Sequence, residues 1–213
     1  EVLARLRVGE SHVIRLHMPD GTSSWDDCIR KRVTFDHKEI DDQVLVKSDG
    51  FPTYHLAVVV DDHLMGITTV IRGEEWISST PKHLVLYRAF GWEPTQFAHV
   101  PLLLNADKSK LSKRQGDVAA EDYLNRGYLP EALLNFIATL GFNPTGDREV
   151  YSRDELIALF RLSDVKKSGA VVNFEKLDWM NRQYIQHMTK DTLRGRLLSF
   201  NPAARVENLD RII

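Results

Sequence analysis

The chain has 213 residues, 43% of them hydrophobic and 27% charged, which is ordinary for a soluble globular protein with a sizeable core. A net charge of −2 excludes nucleic-acid binding by global attraction, so any such contact needs a local basic patch. The single cysteine, Cys28, excludes an intrachain disulfide and a multi-cysteine zinc site, and no apolar run is long enough to cross a bilayer. Glu1 stands where an initiator Met is absent, and the chain opens within structured-looking sequence, so it reads as a portion of a longer protein.

The stretch Val13-Ile14-Arg15-Leu16 alternates with polar neighbours and predicts a short strand, closed by Pro19-Asp20-Gly21-Thr22 as a turn. Trp25-Asp26-Asp27 leads to a second strand from Arg32 to Phe35, and a third runs from Gln43 to Lys47 before the turn Ser48-Asp49-Gly50. The first quarter of the chain is therefore an antiparallel β-rich piece. Its acidic pairs, Asp26-Asp27 and Asp41-Asp42, invite a metal or acid–base reading, but carboxylates flanking surface turns are commoner and these are taken as solvated.

Pro52-Thr53 and Gly66 bracket a helix running to Met65. Ile67 to Ile71 is β-branched throughout and reads as a strand delivering Arg72-Gly73-Glu74-Glu75-Trp76 at its carboxyl end. Ser79-Thr80-Pro81 starts a helix to Phe90, stopped by Gly91, and a strand from His99 to Leu104 follows. Strand, helix, strand is a parallel βαβ unit, in which ligands gather beyond the carboxyl ends of the strands. Both the 72–76 segment and the 105–114 loop leave such ends.

Beyond that loop the pattern turns helical, with strands ceasing near Asn105. Helices are expected over Glu121 to Arg126, Pro130 to Leu140, Ser152 to Phe160 with a capping box from Ser152 and Glu155, Phe174 to Asn181, and Thr189 to Ser199. Leu133, Leu134, Phe136, Ile137 and Leu140 have core spacing.

The most informative stretch is Lys110-Leu111-Ser112-Lys113-Arg114. Lys108, Lys110, Lys113 and Arg114 fall within seven residues and cannot pack in a core. A loop with several cations suits a polyphosphate, where positioned charge stabilises the negative charge of a transfer reaction; a plain solvated loop is the alternative. Arg72 offers a planar fork for a carboxylate, against a salt bridge to Glu74 or Glu75. Tyr54, at the start of its helix, has a hydroxyl to donate, although a lone Tyr in such a place more often packs at an interface. His55 and His63 lie eight apart, the wrong spacing for a shared metal on one helix face. Lys166-Lys167 reads as solvated, with RNA phosphate as the functional alternative.

Lys110-Leu111-Ser112-Lys113-Arg114 after a strand resembles the second signature, "KMSKS", of class I aminoacyl-tRNA synthetases. The longer run from Phe97 to Arg114 is similar to the glutamyl-tRNA synthetase version. So are the stretches from Asp49 to Ala57, Val59 to His63, Val70 to Trp76, and Gly127 to Leu134, all in the family's order. The resemblance implies α/β plus all-α architecture: residues 1–52 as the end of an acceptor-stem-binding insertion and 53–104 as the second half of a Rossmann-like catalytic domain. It further implies a helical stem-contact domain over 105–188, carrying the basic loop, and the start of an anticodon-binding helical domain over 189–213.

The implied activity is glutamate–tRNA ligation: ATP-dependent formation of glutamyl-adenylate, then transfer to the 3′ end of tRNA(Glu). Tyr54, Val58 and Arg72 would line the glutamate site, although Val58 stands where some members have an Asn that contacts substrate. Glu75, Leu103, Lys110, Leu111, Ser112, Lys113 and Arg114 would hold ATP, with Lys113 and Lys110 catalytic. Leu111 and Arg114 replace the Met and Ser of the class consensus, as is usual in this subgroup. Mg2+ would accompany ATP, with no dedicated metal site in the chain. A monomer in a bacterial-type cytoplasm, or alternatively a mitochondrial matrix, is the family expectation, with no membrane association. The family's His-x-Gly-His element is absent from the context of all eight histidines, so residues 1–213 alone are expected to be inactive. Alternatives are a paralogue that glutamylates a modified tRNA nucleoside, a glutaminyl enzyme, and a catalytically incomplete tRNA-binding module.

Overall fold

The structure, a computed structural model, describes residues 2–111, 119–144 and 146–201. Its architecture is mixed α/β, and packing divides the chain into two compact units, Glu1–Pro101 and Leu102–Ile213.

In the first unit a short helix α1 (Val2–Arg7) precedes β1 (Ile14–Leu16), β2 (Thr22–Asp27), β3 (Lys31–Asp36) and β4 (Gln43–Val46). β1 pairs antiparallel with β4, and β2 with β3 in a hairpin whose register runs from Thr22–Asp36 to Asp27–Lys31. The strand β2 was not expected from the sequence, because Thr-Ser-Ser-Trp-Asp-Asp is poor in β-formers. Its alternation is nonetheless regular: Ser23, Trp25 and Asp27 face inward. Ser23 is satisfied by His37, whose Nδ1–H donates to the Pro19 carbonyl (2.7 Å) and whose Nε2 accepts from the serine hydroxyl (2.7 Å).

The chain then forms α2 (Tyr54–Leu64), β5 (Thr69–Gly73), α3 (Thr80–Ala89) and β6 (Gln96–Val100). Pro81 sits in the first turn of α3, where its missing N–H costs nothing, and Gly91 at φ +71° follows the helix end in the left-handed conformation glycine tolerates. β5 and β6 pair in parallel, as the βαβ reading requires, in a register that sets Arg72 beside His99. The hairpin is tied to this unit through the Cys28 N–H, which donates to the Phe97 carbonyl (2.8 Å). The core is built from Leu16, Met18, Trp25, Leu45, Val59, Val85, Leu86, Tyr87 and Phe97.

The expected strand from His99 to Leu104 is two strands. β6 stops at Val100, and β7 (Leu103–Leu104) belongs to the second unit, where it pairs in parallel with β8 (Ala170–Val171). Pro101 explains the break, since it has no N–H to donate to the ladder. Strands therefore do not cease near Asn105. The strand after α2 also lies two residues later than expected, so that Arg72 is within β5 rather than beyond it.

The second unit continues with α4 (Ala120–Asn125), α5 (Pro130–Gly141), α6 (Arg153–Leu159), α7 (Phe174–Gln186) and α8 (Lys190–Phe200). The expected capping box of α6 is present, with Ser152 accepting from the Glu155 N–H and Glu155 accepting from the Ser152 N–H. α7 runs five residues past the expected Asn181, because its Leu177, Met180 and Tyr184 line one face of the core with Tyr123, Leu133 and Phe136. Asn135 is fully buried in α5 and joins three segments. Its Oδ1 accepts from the Tyr151 N–H (2.7 Å) and the Tyr184 hydroxyl (2.9 Å), and its Nδ2 donates to the Glu149 carbonyl (3.0 Å).

Replacing Asn135 by Ala leaves the Tyr151 N–H and the Glu149 carbonyl without their partner, each costing about 1–3 kcal/mol, while the Tyr184 hydroxyl keeps the Tyr151 carbonyl. Urea denaturation of Asn135→Ala is expected to show a loss of about 2–4 kcal/mol; a loss below about 0.5 kcal/mol would show that the three segments are held by apolar packing alone.

Candidate active site

Arg72 lies on β5, and its guanidinium can only donate. Nε–H donates to His99 Nε2 (3.1 Å), Nη1 to His83 Nδ1 (3.2 Å), and Nη2 to Thr80 Oγ1 (2.7 Å), with a longer contact to the Trp76 carbonyl (3.4 Å). Each partner is placed by local structure. His99 is its register neighbour on β6, Thr80 and His83 share a face of α3 at i and i+3, and Trp76 follows the strand end. The Phe97 ring supports the guanidinium from 5.4 Å.

All four partners accept as neutral groups. Among the described residues no carboxylate forms an ion pair with Arg72: Glu74 pairs instead with Arg30, which also donates to the His99 carbonyl (3.2 Å). The edge through Nε and Nη2 that ordinarily forks a carboxylate is occupied by His99 and Thr80, and Nη1 is engaged by His83. Burial lowers the pKa of Arg72, while the nearby Tyr54 hydroxyl, Asp62 and Asp27 act to raise it.

Tyr54 stands at the opening of α2, half-exposed, with its ring 4.8 Å from that of Trp76 and 6.4 Å from that of His83. Tyr54 and Arg72 are therefore brought together. Val58, one turn further along α2, packs against the core of the first unit and presents methyl groups only. Glu75 is exposed, and its carboxylate folds back over Gly73, where an added Cβ would collide with Glu75 Oε2.

Leu103, Lys110 and Leu111 are gathered in the second unit as the root of the basic loop. The Leu111 N–H donates to the Leu103 carbonyl (2.9 Å), and Lys110 bridges antiparallel to Leu104. The turn between them is self-supporting. The Asn105 N–H donates to the Ser109 carbonyl (2.8 Å), the Lys108 N–H to the Asn105 carbonyl (2.9 Å), and Asp107 Oδ1 accepts from the Ser109 N–H (2.9 Å) and hydroxyl (2.6 Å). Lys108 takes φ +66°, the left-handed bend that closes the turn. Ser112, Lys113 and Arg114 lie outside the described residues.

The sequence did not reveal the histidines or Asp27. His55 is not paired with His63, which stacks on Trp92 at 3.9 Å; its Nδ1 lies 3.0 Å from His83 Nε2. Asp27, expected in a solvated acidic pair, is fully buried and lies 2.5 Å from His99 Nδ1. Asp26 keeps the expected exposure and pairs with Arg32. Asp27 could have been flagged by its inward position in the alternation of Ser23 and Trp25.

The protonation states follow from Arg72. Because it donates to His83 Nδ1, the His83 proton is on Nε2 and is donated to His55 Nδ1. Burial first, then the positive charge of Arg72, pushes the His83 pKa down to about 3, and burial also lowers those of His55 and His99. For a histidine whose folded pKa lies below its unfolded value, stability is complete above the unfolded pKa and is lost as pH falls towards the folded one. For His83 that window runs from 6.5 down to about 3. Between about pH 7 and about pH 5, His83 is expected to remove about 2 kcal/mol of stability. His83→Gln should flatten the urea-derived pH profile by that amount, and an unchanged slope would put a charged His83 in the folded state.

Comparisons with known proteins place these features. The model of the family "tRNA synthetases class I (E and Q), catalytic domain" matches residues 1–179. The chain is 60% identical over 196 residues to the glutamate–tRNA ligase of Chloroherpeton thalassium, a stretch covering 91% of this chain and 39% of that relative. It is 56% identical over 196 residues to that of Chlorobaculum parvum, with the same shares covered. Among solved structures, the glutamate tRNA ligase of Elizabethkingia meningosepticum in complex with its amino acid superposes with a TM-score of 0.87 at 39% identity, over 100% of this chain and 47% of that one. The enzyme from Elizabethkingia anophelis gives 0.85 at 39% identity, over 98% of this chain and 47% of that one. The chain thus spans about two-fifths of the length of the curated relatives it matches.

Proposed function

The chain belongs to the class I tRNA synthetases for glutamate and glutamine, and from that premise we propose that it is the part of a glutamate–tRNA ligase that carries one side of the amino-acid pocket and the basic nucleotide loop. The reading assigns residues 1–52 to the end of the acceptor-stem-binding insertion, 53–104 to the second half of the catalytic fold, 105–188 to the stem-contact domain and 189–213 to the start of the anticodon-binding helices. The observation that carries it is Arg72, a partly buried cation at the carboxyl end of a parallel strand whose protein partners are all neutral. Such a group favours an anion from outside, and Tyr54 beside Trp76 forms the adjoining wall. Glutamate supplies the carboxylates, and Val58 adds contact surface but no hydrogen bond.

In this reading the α-carboxylate oxygen of glutamate attacks the α-phosphorus of ATP and pyrophosphate departs with the bond electrons. The 2′- or 3′-hydroxyl of the terminal tRNA ribose then displaces AMP. No protein nucleophile is needed, and the chain contributes positioning and positive charge. Lys110 is set by the turn beneath it, Lys113 follows as the charge that meets the departing phosphates, and Glu75 and Leu103 belong to the nucleotide's surroundings. Mg2+ would arrive on the nucleotide, and no step is routed through it. No helix among the described residues is long and apolar enough to cross a membrane. We place the enzyme in a bacterial cytoplasm as a monomer.

In the full-length protein, Arg72→Lys should raise the glutamate KM in ATP–pyrophosphate exchange by the equivalent of about 2–5 kcal/mol, with a much smaller change for ATP. An unchanged glutamate KM would remove Arg72 from the pocket. Lys113→Ala should lower the single-turnover rate of adenylate formation about a hundredfold at saturating substrates, as loss of one preorganised charge does. A normal rate with weaker ATP binding would make the loop a passive phosphate clamp.

A further inference from the structure

The Arg72 Nε–H needs a bare nitrogen on His99 to accept it. The guanidinium Nε–H points at His99 Nε2 from 3.1 Å, and two N–H groups cannot face each other there, so the imidazole proton is on Nδ1. That nitrogen faces Asp27 Oδ2 at 2.5 Å, and neither side chain is exposed to solvent. The other carboxylate oxygen, Asp27 Oδ1, accepts the N–H groups of Ile29 (3.0 Å), Arg30 (2.9 Å) and His99 (3.2 Å). Burial alone pushes the Asp27 pKa up, but the hydrogen bonds from Arg30, His99 and Ile29 together hold it below the ordinary value, so the carboxylate is ionised. Its rotamer is fixed by three backbone donors, and its other oxygen accepts the hydrogen bond of the His99 Nδ1–H.

The geometry points to Asp27 and His99 as positioning residues for the carboxylate site at Arg72: the end of the β2–β3 hairpin sets the tautomer of His99, and that tautomer orients the guanidinium. This rests on the reading of Arg72 as the glutamate-binding group. Arg72 gains an acceptor without gaining an adjacent carboxylate. The negative charge of Asp27 reaches it only across an imidazole, which leaves the guanidinium attractive to a substrate anion. A carboxylate in place of His99 would fill that demand directly and weaken the site.

Asp27→Asn tests this with little change of shape. The three backbone N–H groups hold the amide oxygen at the Oδ1 position, so the amide NH2 replaces Oδ2 and donates to His99 Nδ1. The imidazole proton must then move to Nε2, against Arg72. In the full-length protein the glutamate KM for ATP–pyrophosphate exchange is expected to rise roughly ten- to hundredfold, with less than about a threefold change for ATP. Imidazole 15N shifts should report His99 protonated on Nδ1 in the wild type and on Nε2 in Asp27→Asn. In a His99→Gln background, where the amide oxygen accepts from Arg72 whatever residue 27 is, the added Asp27→Asn change should cost less than about threefold.

A glutamate KM within about threefold of wild type for Asp27→Asn, or an equal cost in the His99→Gln background, would overturn the proposal. Should Asp27→Asn fail to fold, His99→Gln and His99→Leu decide: the glutamine retains the acceptor and should keep a near-normal glutamate KM, the leucine should not, and equal values overturn the idea. If Arg72→Lys raises the glutamate KM and Asp27→Asn does not, the positioning role falls while the Arg72 assignment stands. If Arg72→Lys itself leaves that KM unchanged, both fall.

Discussion

A positive charge held partly out of water, with no carboxylate in direct contact among the described residues, is the constraint on which the first unit turns. Satisfying Arg72 with an Asp or Glu would have been simpler and would have given a stable ion pair, but it would also have cancelled the charge. The fold instead surrounds it with four neutral acceptors, drawn from β6, the segment after β5, and α3. Neutral acceptors stabilise the guanidinium's geometry while leaving its field largely intact, which is the property the proposed carboxylate site needs. The same constraint dictates the histidine chemistry. Both His83 and His99 must stay unprotonated towards Arg72, so burial, which lowers their pKa values, supports the arrangement.

Much of this was legible in the sequence, and the part that was not follows a physical rule. Arg72 stood out because a parallel βαβ pattern put it at a strand's carboxyl end, whereas Tyr54 was singled out by the family resemblance and not by its place at a helix start. His99, His83 and Asp27 are scattered along the chain and carry no motif, and only the β5–β6 register and the turn of α3 bring them together. Asp27 misled because two adjacent aspartates beside a turn look solvated. In the structure one faces out and pairs with Arg32, and its neighbour faces in, as successive residues of any strand do. The expected strand from His99 to Leu104 breaks at Pro101, which has no N–H for the ladder, despite the apolar residues on either side.

The second unit was legible in another way. Its helices declare themselves through Pro130, the Ser152–Glu155 box and the apolar spacing of α5, all local signals. The root of the basic loop was not local. Leu103 and Leu104 look like the tail of β6 until β8 is seen to take them, and nothing around Ala170-Val171 distinguishes that pair as a strand. Gly169 is the trace of this closeness: a Cβ there would meet Leu104 Cδ1 at 2.6 Å and the Leu102 carbonyl oxygen at 3.3 Å.

That pairing has a consequence for the order in which the protein is made. β7 and β8 are separated by the whole of α4, α5 and α6, and the Leu104 carbonyl waits for the N–H of Val172. Closing so long a segment costs chain entropy, which the packing of the intervening helices helps to offset. On the ribosome the lysine-bearing turn emerges long before its anchoring strand does. The turn can close through its own local bonds, but its attachment to the helical unit through β8 has to wait for the chain beyond α6.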